Sequence, residues 1–414
     1  MPESQGAPSA LRARVLTGSG LMEDAFLSWD GDRITGVGTP GTGGPAATAP
    51  PDRWAWPPDG WGLTSDCIVL PGLVDLHCHG GDGSDFTSGD SDAARTAARY
   101  HHGQGTTTLL ASTVTAPLNE LVRAFTVLAG IADEGLLAGI HAEGPFIAPQ
   151  RCGAQDTAHI RSYTVDAAAQ LISAANGRLS TMTYAPELPG ASELASLLAS
   201  HGTVASLGHT DCTGPEAAAA LDESARHRHG ADTGGRSGRP TVTHLFNAMR
   251  GFHHRSPGPV PVLLERARAG SVALELIADG RHLHPDTVRA VFALVGAGNV
   301  CLVSDATAAT GRAGGIYTLG STSITVEDGA ARIVSSDHLA GGSAPLLHGV
   351  RTAVRAGVSL QEAVLAATEV PAGIIGLNHE VGRLSVGRRA DAVVLSPELE
   401  LLAVLRGGVW IRHP

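Results

Sequence analysis

Residues 71–81 read PGLVDLHCHGG. A Pro-Gly turn leads into a short apolar run that ends in two histidines separated by one residue. In extended backbone successive side chains alternate faces, so His77 and His79 share one face and Cys78 takes the other. Two imidazoles side by side at the end of an apolar strand form a metal-ligand pair, since histidine is the commonest metal-binding side chain. The bland alternative is a short buried strand with incidental histidines. The rest of the chain decides between the two.

After this stretch the sequence alternates. Apolar strand segments fall at 73–79, 107–113, 136–143, 179–186, 203–209, 241–246, 271–279 and 299–305. Helical patterns lie between them at 91–102, 119–133, 165–175, 192–200, 214–226, 259–268 and 285–295. Near-continuous apolar strands that alternate with helices predict a parallel sheet covered on both faces, here a (β/α)₈ barrel of the TIM type over 71–380. Segments 11–70 and 381–414 have another texture, short apolar strands broken by Gly turns. They are expected to pair as one small β-sandwich, giving a domain of 1–70 with 381–414. Two stretches, 38–62 and 225–240, are rich in Gly and small or polar residues and read as surface loops, with His227 and His229 solvated.

Composition narrows the function. A formal charge of −11 argues against nucleic acid or an anionic membrane as partner, so an anionic small molecule would need a local cluster of Arg and His. The chain contains no lysine, and all 29 basic residues are arginine. Schiff-base, pyridoxal-lysine and carboxylated-lysine chemistries are therefore excluded. The 5 cysteines are scattered with no CxxC, which fits a reducing cytoplasm. No signal-peptide core and no run of ~18 apolar residues is present, and a soluble cytoplasmic protein is expected.

In a (β/α)₈ barrel the reactive groups stand at the C-terminal ends of the strands. There this sequence carries His77 and His79, then Glu143, His209, His244, His282 and Asp305. Chance would scatter 19 histidines over helices and loops as well. The placement predicts a divalent metal site, and N/O donors of this kind suit Zn first, with Fe, Mn or Co as alternatives.

Six segments, HAEGPFIAPQRCGA, SLGHTDC, HLFNAMRGFHHRSPGP, IADGRHLHPD, LVSDATAATG and LAGGSA, resemble the N-acetylglucosamine-6-phosphate deacetylases of the amidohydrolase superfamily. The likeness covers about residues 65–395. It implies that Glu143, His209 and His244 hold the principal metal. His77 and His79 match the pair that completes a second site in some members, with Glu143 bridging, so one or two metals are expected. Asp305 is implied as general base. Asn247 and Ala248, through backbone N–H groups, with Arg255 and His282, are implied to bind the sugar phosphate. Arg255 is implied to cross the interface of a homodimer, and a guanidinium fork suits phosphate. His253 and His254 are expected to be loop histidines.

One position departs from the family pattern. Gln155 stands where the family has a histidine that polarises the acetyl carbonyl, and Gln can donate a hydrogen bond but cannot become a cation. His159 is a candidate replacement. The expected activity is release of acetate from N-acetylglucosamine 6-phosphate. The alternatives are another N-acyl amino-sugar phosphate such as the galactosamine epimer, a barrel deaminase, or a non-catalytic scaffold.

Overall fold

The computed structural model describes residues 9–39, 65–228, 239–336 and 338–411. Most of the 38–62 loop and of the 225–240 loop lies outside the described residues. The helix before the latter runs over Gly214–Arg228, two residues past its expected end.

Eight parallel strands follow in chain order: Leu73–Asp75, Thr106–Thr113, Gly139–Glu143, Leu179–Tyr184, Val204–Leu207, Thr241–Val242, Ala273–Ile277 and Val300–Val303. Each pairs with the next in one eight-stranded sheet. The first and last meet just beyond their regular spans. Asp305 N–H donates to His77 O at 2.9 Å, and His79 N–H donates to Ala306 O at 2.7 Å. These bonds close the barrel through the HxH segment itself. Most of the sequence-predicted strands were longer than observed, and the first leaves regular pairing at Asp75 and the sixth at Val242. The backbone turns there to aim site residues, and His244 sits at φ +29°.

All seven predicted helices are present between the strands, their buried faces dominated by Ala, Leu and Val. Local signals set their ends. Asp90 caps the helix Ser91–Gly103 by accepting from the N–H groups of Asp92 and Ala93. Three further helices, Leu346–Arg355, Leu360–Ala367 and Glu369–Ile374, follow the last strand, and the latter two were not anticipated. The second of these opens with a capping box between Ser359 and Glu362. An antiparallel sheet of Ile316–Leu319, Thr322–Glu327 and Ala330–Ile333 was also missed. Its alternation covers only a small core of Leu319, Ile324, Ala331 and Ile333 with Val114, Ala309 and Ala340.

Both chain ends enter one seven-stranded sheet. Ser9–Thr17 runs parallel to Ile68–Pro71, and that strand pairs antiparallel with Ala392–Leu395. The sheet rolls over so that strands far apart in its order touch: Trp29 stands edge-on to Trp410 at 5.7 Å and donates from Nε1 to Gly408 O at 3.1 Å. Its inner face buries Leu11, Val15, Leu27, Val69, Val394 and Leu405, while Leu70, Val393 and Leu395 on the other face join the barrel core. This is the expected pairing of the two ends. Among the described residues no helix is long and apolar enough to cross a membrane.

Trp29 is 3% exposed. Trp29→Ala should therefore lower unfolding free energy by about 3–5 kcal/mol, read as an earlier urea midpoint. Metal content should be unchanged, since the site lies on the barrel.

Candidate active site

The barrel's carboxyl end gathers six buried metal-compatible side chains into two trios, His77, His79 and Asp305, and Glu143, His209 and His244. In the second trio, His209 Nε2 and His244 Nε2 each lie 3.0 Å from Glu143 Oε1 and 3.1 Å from each other. In the first, His77 Nε2 and His79 Nε2 are 2.9 Å apart, with Asp305 Oδ1 at 3.3 and 3.1 Å. Glu143 links the two, its Oε1 3.4 Å from His77 Nε2 and its Oε2 3.3 Å from His79 Nε2.

Several of these residues hold backbone that L side chains rarely adopt. His209 (φ +47°), His244 (φ +29°), Ala248 (φ +48°) and Asp305 (φ +48°) all lie at positive φ. Each such residue costs on the order of 1–3 kcal/mol and persists only where its surroundings fix it. At Asp305 the fixing bonds are visible: its N–H goes to His77 O, and its C=O accepts from Gly342 N at 2.6 Å. A Cβ at position 342 would stand 2.2 Å from Ser304 O, so glycine is required there. The LAGGSA segment thus lies against the end of the eighth strand, just before the helix Leu346–Arg355.

Neighbouring groups orient the imidazoles. His209 Nδ1 donates to Arg151 O at 2.8 Å, which leaves Nε2 with its lone pair toward Glu143. His77 Nδ1 lies 3.1 Å from Glu275 Oε2. Glu275, on the seventh strand, escaped the sequence reading because it stands mid-strand rather than at a strand end. Beneath it His141 bonds Ser112 Oγ at 2.9 Å and Thr183 Oγ1 at 2.8 Å, so the barrel interior under the site is polar.

Electrostatics press for positive charge. Burial opposes the charged form of His77, yet Asp305, Glu143 and Glu275 push its imidazole up to about 9. His79, also buried, is carried up to about 10 by Asp305 and Glu143. Burial would raise both carboxylates, but the imidazoles around them win: Glu143 lies well below the usual range, and Asp305 falls to about 2. Buried carboxylates of this kind are matched either by imidazolium protons or by a metal. The donors fit the metal: each trio offers two imidazoles and a carboxylate, and paired ring nitrogens about 3 Å apart suit a shared cation better than mutual contact.

The remaining predicted residues divide. Gln155, Asn247, Ala248 and His282 line the same cleft as Asp305 and Glu143, along with Gly153, Ala154, Leu319, Leu339 and Gly341. Gln155 donates from Nε2 to Glu143 Oε2 at 2.5 Å and accepts from Thr115 N–H at 2.6 Å. The Asn247 N–H, expected to meet a phosphate, donates to His244 O at 3.0 Å instead, closing the turn. The N–H of Ala248 has no partner among the described residues. His282 pairs with Asp279 Oδ2 at 2.8 Å. Arg255 is exposed on the neighbouring loop and does not line the cleft. His253 and His254 are exposed on that loop as well, and His159 stands outside the cleft, 3.9 Å from Asp156.

A cleft lined by metal-compatible side chains at the carboxyl end of a (β/α)₈ barrel, with an aspartate closing the last strand, defines a hydrolase class. The chain belongs to the amidohydrolase family, whose model matches residues 68–411. Within that class its place is among the N-acetylglucosamine-6-phosphate deacetylases. It is 34% identical to the Homo sapiens protein of that name over 362 residues, 83% of this chain and 85% of the relative. A Mycobacterium smegmatis N-acetyl-D-glucosamine-6-phosphate deacetylase variant, solved in complex with N-acetyl-D-glucosamine-6-phosphate, superposes with TM-score 0.86. It is 36% identical, with 98% of this chain and 99% of that one covered. An N-acetylgalactosamine-6-phosphate deacetylase of Escherichia coli O157:H7 is 31% identical over 350 residues, 83% of this chain and 86% of the relative.

Because ligand nitrogens must be deprotonated, metal and protons compete. His77 and His79 hold protons up to about 9 and about 10 in the metal-free protein. Metal affinity at the first trio should therefore rise as pH climbs from 7 toward 9. Binding at pH 7.5 should release protons, measured by calorimetry in buffers of different ionisation enthalpy.

Proposed function

We propose that this chain hydrolyses N-acetyl-D-glucosamine 6-phosphate to D-glucosamine 6-phosphate and acetate in the cytoplasm, with Zn as its metal. The observation that supports it best is one cleft lined by Glu143, His209 and His244 of one trio and by His79 and Asp305 of the other. The similarity to a relative solved with that sugar phosphate adds the substrate. Glu143, His209 and His244 would hold the principal metal, with His77, His79 and Asp305 beside it. When bound, such a cation lowers the pKa of its water from about 15.7 toward about 7 and polarises an amide carbonyl.

The protein's own residues carry the rest. Asp305 is held ionised, so it accepts the proton of the attacking water only as the tetrahedral carbon forms, then hands it to the departing amine. Gln155 braces Glu143 and presents its amide edge to the cleft where the acetyl group would lie. Ala248 N–H and His282 mark the sugar-phosphate side. Arg255, exposed on its loop, reaches the phosphate of a partner protomer in a homodimer. Residues 71–380 form the catalytic unit, and 1–70 with 381–414 support it.

The galactosamine epimer is the second reading, favoured by the 31% identical relative of that name.

The test is acetate release from the 6-phosphate beside unphosphorylated N-acetylglucosamine, before and after chelation and metal return. Turnover confined to the phosphorylated sugar and abolished by chelator is expected. Asp305→Asn should cost about 10²–10⁴-fold in kcat, with the fold unchanged by circular dichroism. Arg255→Ala should raise KM for the phosphorylated sugar with a smaller effect on kcat. Full metal occupancy without turnover of either epimer would overturn the assignment.

A further inference from the structure

Glu275 has no place in the reaction as written. It is buried on the seventh strand, turned into the barrel below the two trios. Its Oε2 lies 3.1 Å from His77 Nδ1 and 3.4 Å from the His244 N–H. A carboxylate only accepts, so neutral His77, the form a metal ligand takes, carries its proton on Nδ1 and leaves the lone pair on Nε2. That lone pair faces His79 Nε2 at 2.9 Å, Asp305 Oδ1 at 3.3 Å and Glu143 Oε1 at 3.4 Å. The other ring nitrogens in the cluster are treated differently. His209 Nδ1 has a backbone carbonyl, and the Nδ1 atoms of His79 and His244 are buried with no hydrogen-bond partner. Of the four imidazoles in the two trios, His77 alone has its far nitrogen on a carboxylate.

Charge points the same way. Glu143, Glu275 and Asp305 all reach His77, and all three side chains are nearly out of solvent. Three negative charges against one divalent cation leave one unbalanced in a buried site, which is costly. Two divalent cations leave one positive charge, which an anionic ligand cancels. The principal trio does not need Glu275 for its own ligands, because His209 is oriented from Arg151 and His244 is touched by Glu275 only at its backbone.

We propose that Glu275 is a positioning residue that makes the His77, His79 and Asp305 trio a second divalent-cation site, by fixing the His77 tautomer and supplying the extra negative charge. This rests on the metal-dependent reading of the cleft, but it concerns how many cations bind and how tightly, whatever sugar is hydrolysed. A carboxylate behind a ligating imidazole raises ligand basicity, and its loss costs about 10–100-fold in metal affinity.

The experiment titrates metal-free full-length protein with Co²⁺ and Zn²⁺, following the visible spectrum and elemental stoichiometry, for the unaltered chain, Glu275→Gln and Glu275→Leu. Glu275→Leu should weaken the second equivalent about 10–100-fold and leave the first within about twofold. Glu275→Gln keeps an acceptor for Nδ1–H at the same place but no charge, and should fall between. Three outcomes overturn the proposal: two equivalents bound by Glu275→Leu as tightly as by the unaltered chain, first and second equivalents weakened in step, or a single equivalent bound by the unaltered chain. In the last case acetate release with one metal would leave the proposed function standing. Should Glu275→Leu fail to fold, Glu275→Gln alone decides: an unchanged second affinity overturns the role of charge.

Discussion

The hydrogen bond from Asp305 N–H to His77 O joins the last barrel strand to the first, and the rest of the site depends on it. With the 2.7 Å bond from His79 N–H to Ala306 O it closes the sheet and brings an aspartate beside two imidazoles. It also holds Asp305 at φ +48°, a conformation that would relax if the seam opened. Loss of the seam would thus be a structural event and a chemical one together. Gly342 guards it from the other side, because nothing larger can approach Ser304 O closely enough to accept the backbone there.

Glu143 is the second pivot. Its two oxygens take different company, His209 and His244 on Oε1, Gln155 and His79 on Oε2. A buried carboxylate is expensive alone, and each of these contacts offsets part of the cost. Glu143 is shared by the two trios, so a change at that carboxylate reaches both. Effects of mutations in the cluster should therefore not add.

Most of this was legible in the sequence because barrel strands announce themselves twice, by apolar runs and by what stands at their ends. His77, His79, Glu143, His209, His244 and Asp305 all come from strand ends, and the structure brings all six together. Glu275 and His141 were not legible, since only their inward direction in the closed barrel gives them partners, and a one-dimensional pattern does not separate inward from outward in a strand buried on both faces. The hairpin sheet 316–333 was missed for the opposite reason. Its strands are short and mix buried with half-buried and exposed positions, with Ile316 73% open, so the alternation is faint. Asn247 illustrates a third limit. The motif marked the turn, but the turn itself uses the N–H that was expected to meet a ligand.

The cleft must also receive a dianion in a protein of net charge −11, and its polarity is arranged for that. The anionic carboxylates lie at the floor, where imidazoles surround them. Gln155 adds no charge, and its orientation is fixed, since turning the amide over would set its oxygen against Glu143 and its NH₂ against Thr115 N–H. His282 lines the same cleft. Burial works against its charged form, but the hydrogen bond to Asp279 holds its pKa above the ordinary imidazole value. This shifts His282 toward its charged form, with Asp279 behind it held below the usual carboxylate range despite burial. A carboxylate behind and a cation in front is the polarity a phosphate-bearing substrate requires. One cleft lining thus combines the carboxylate of Asp305, the imidazole of His282 and the neutral amide of Gln155.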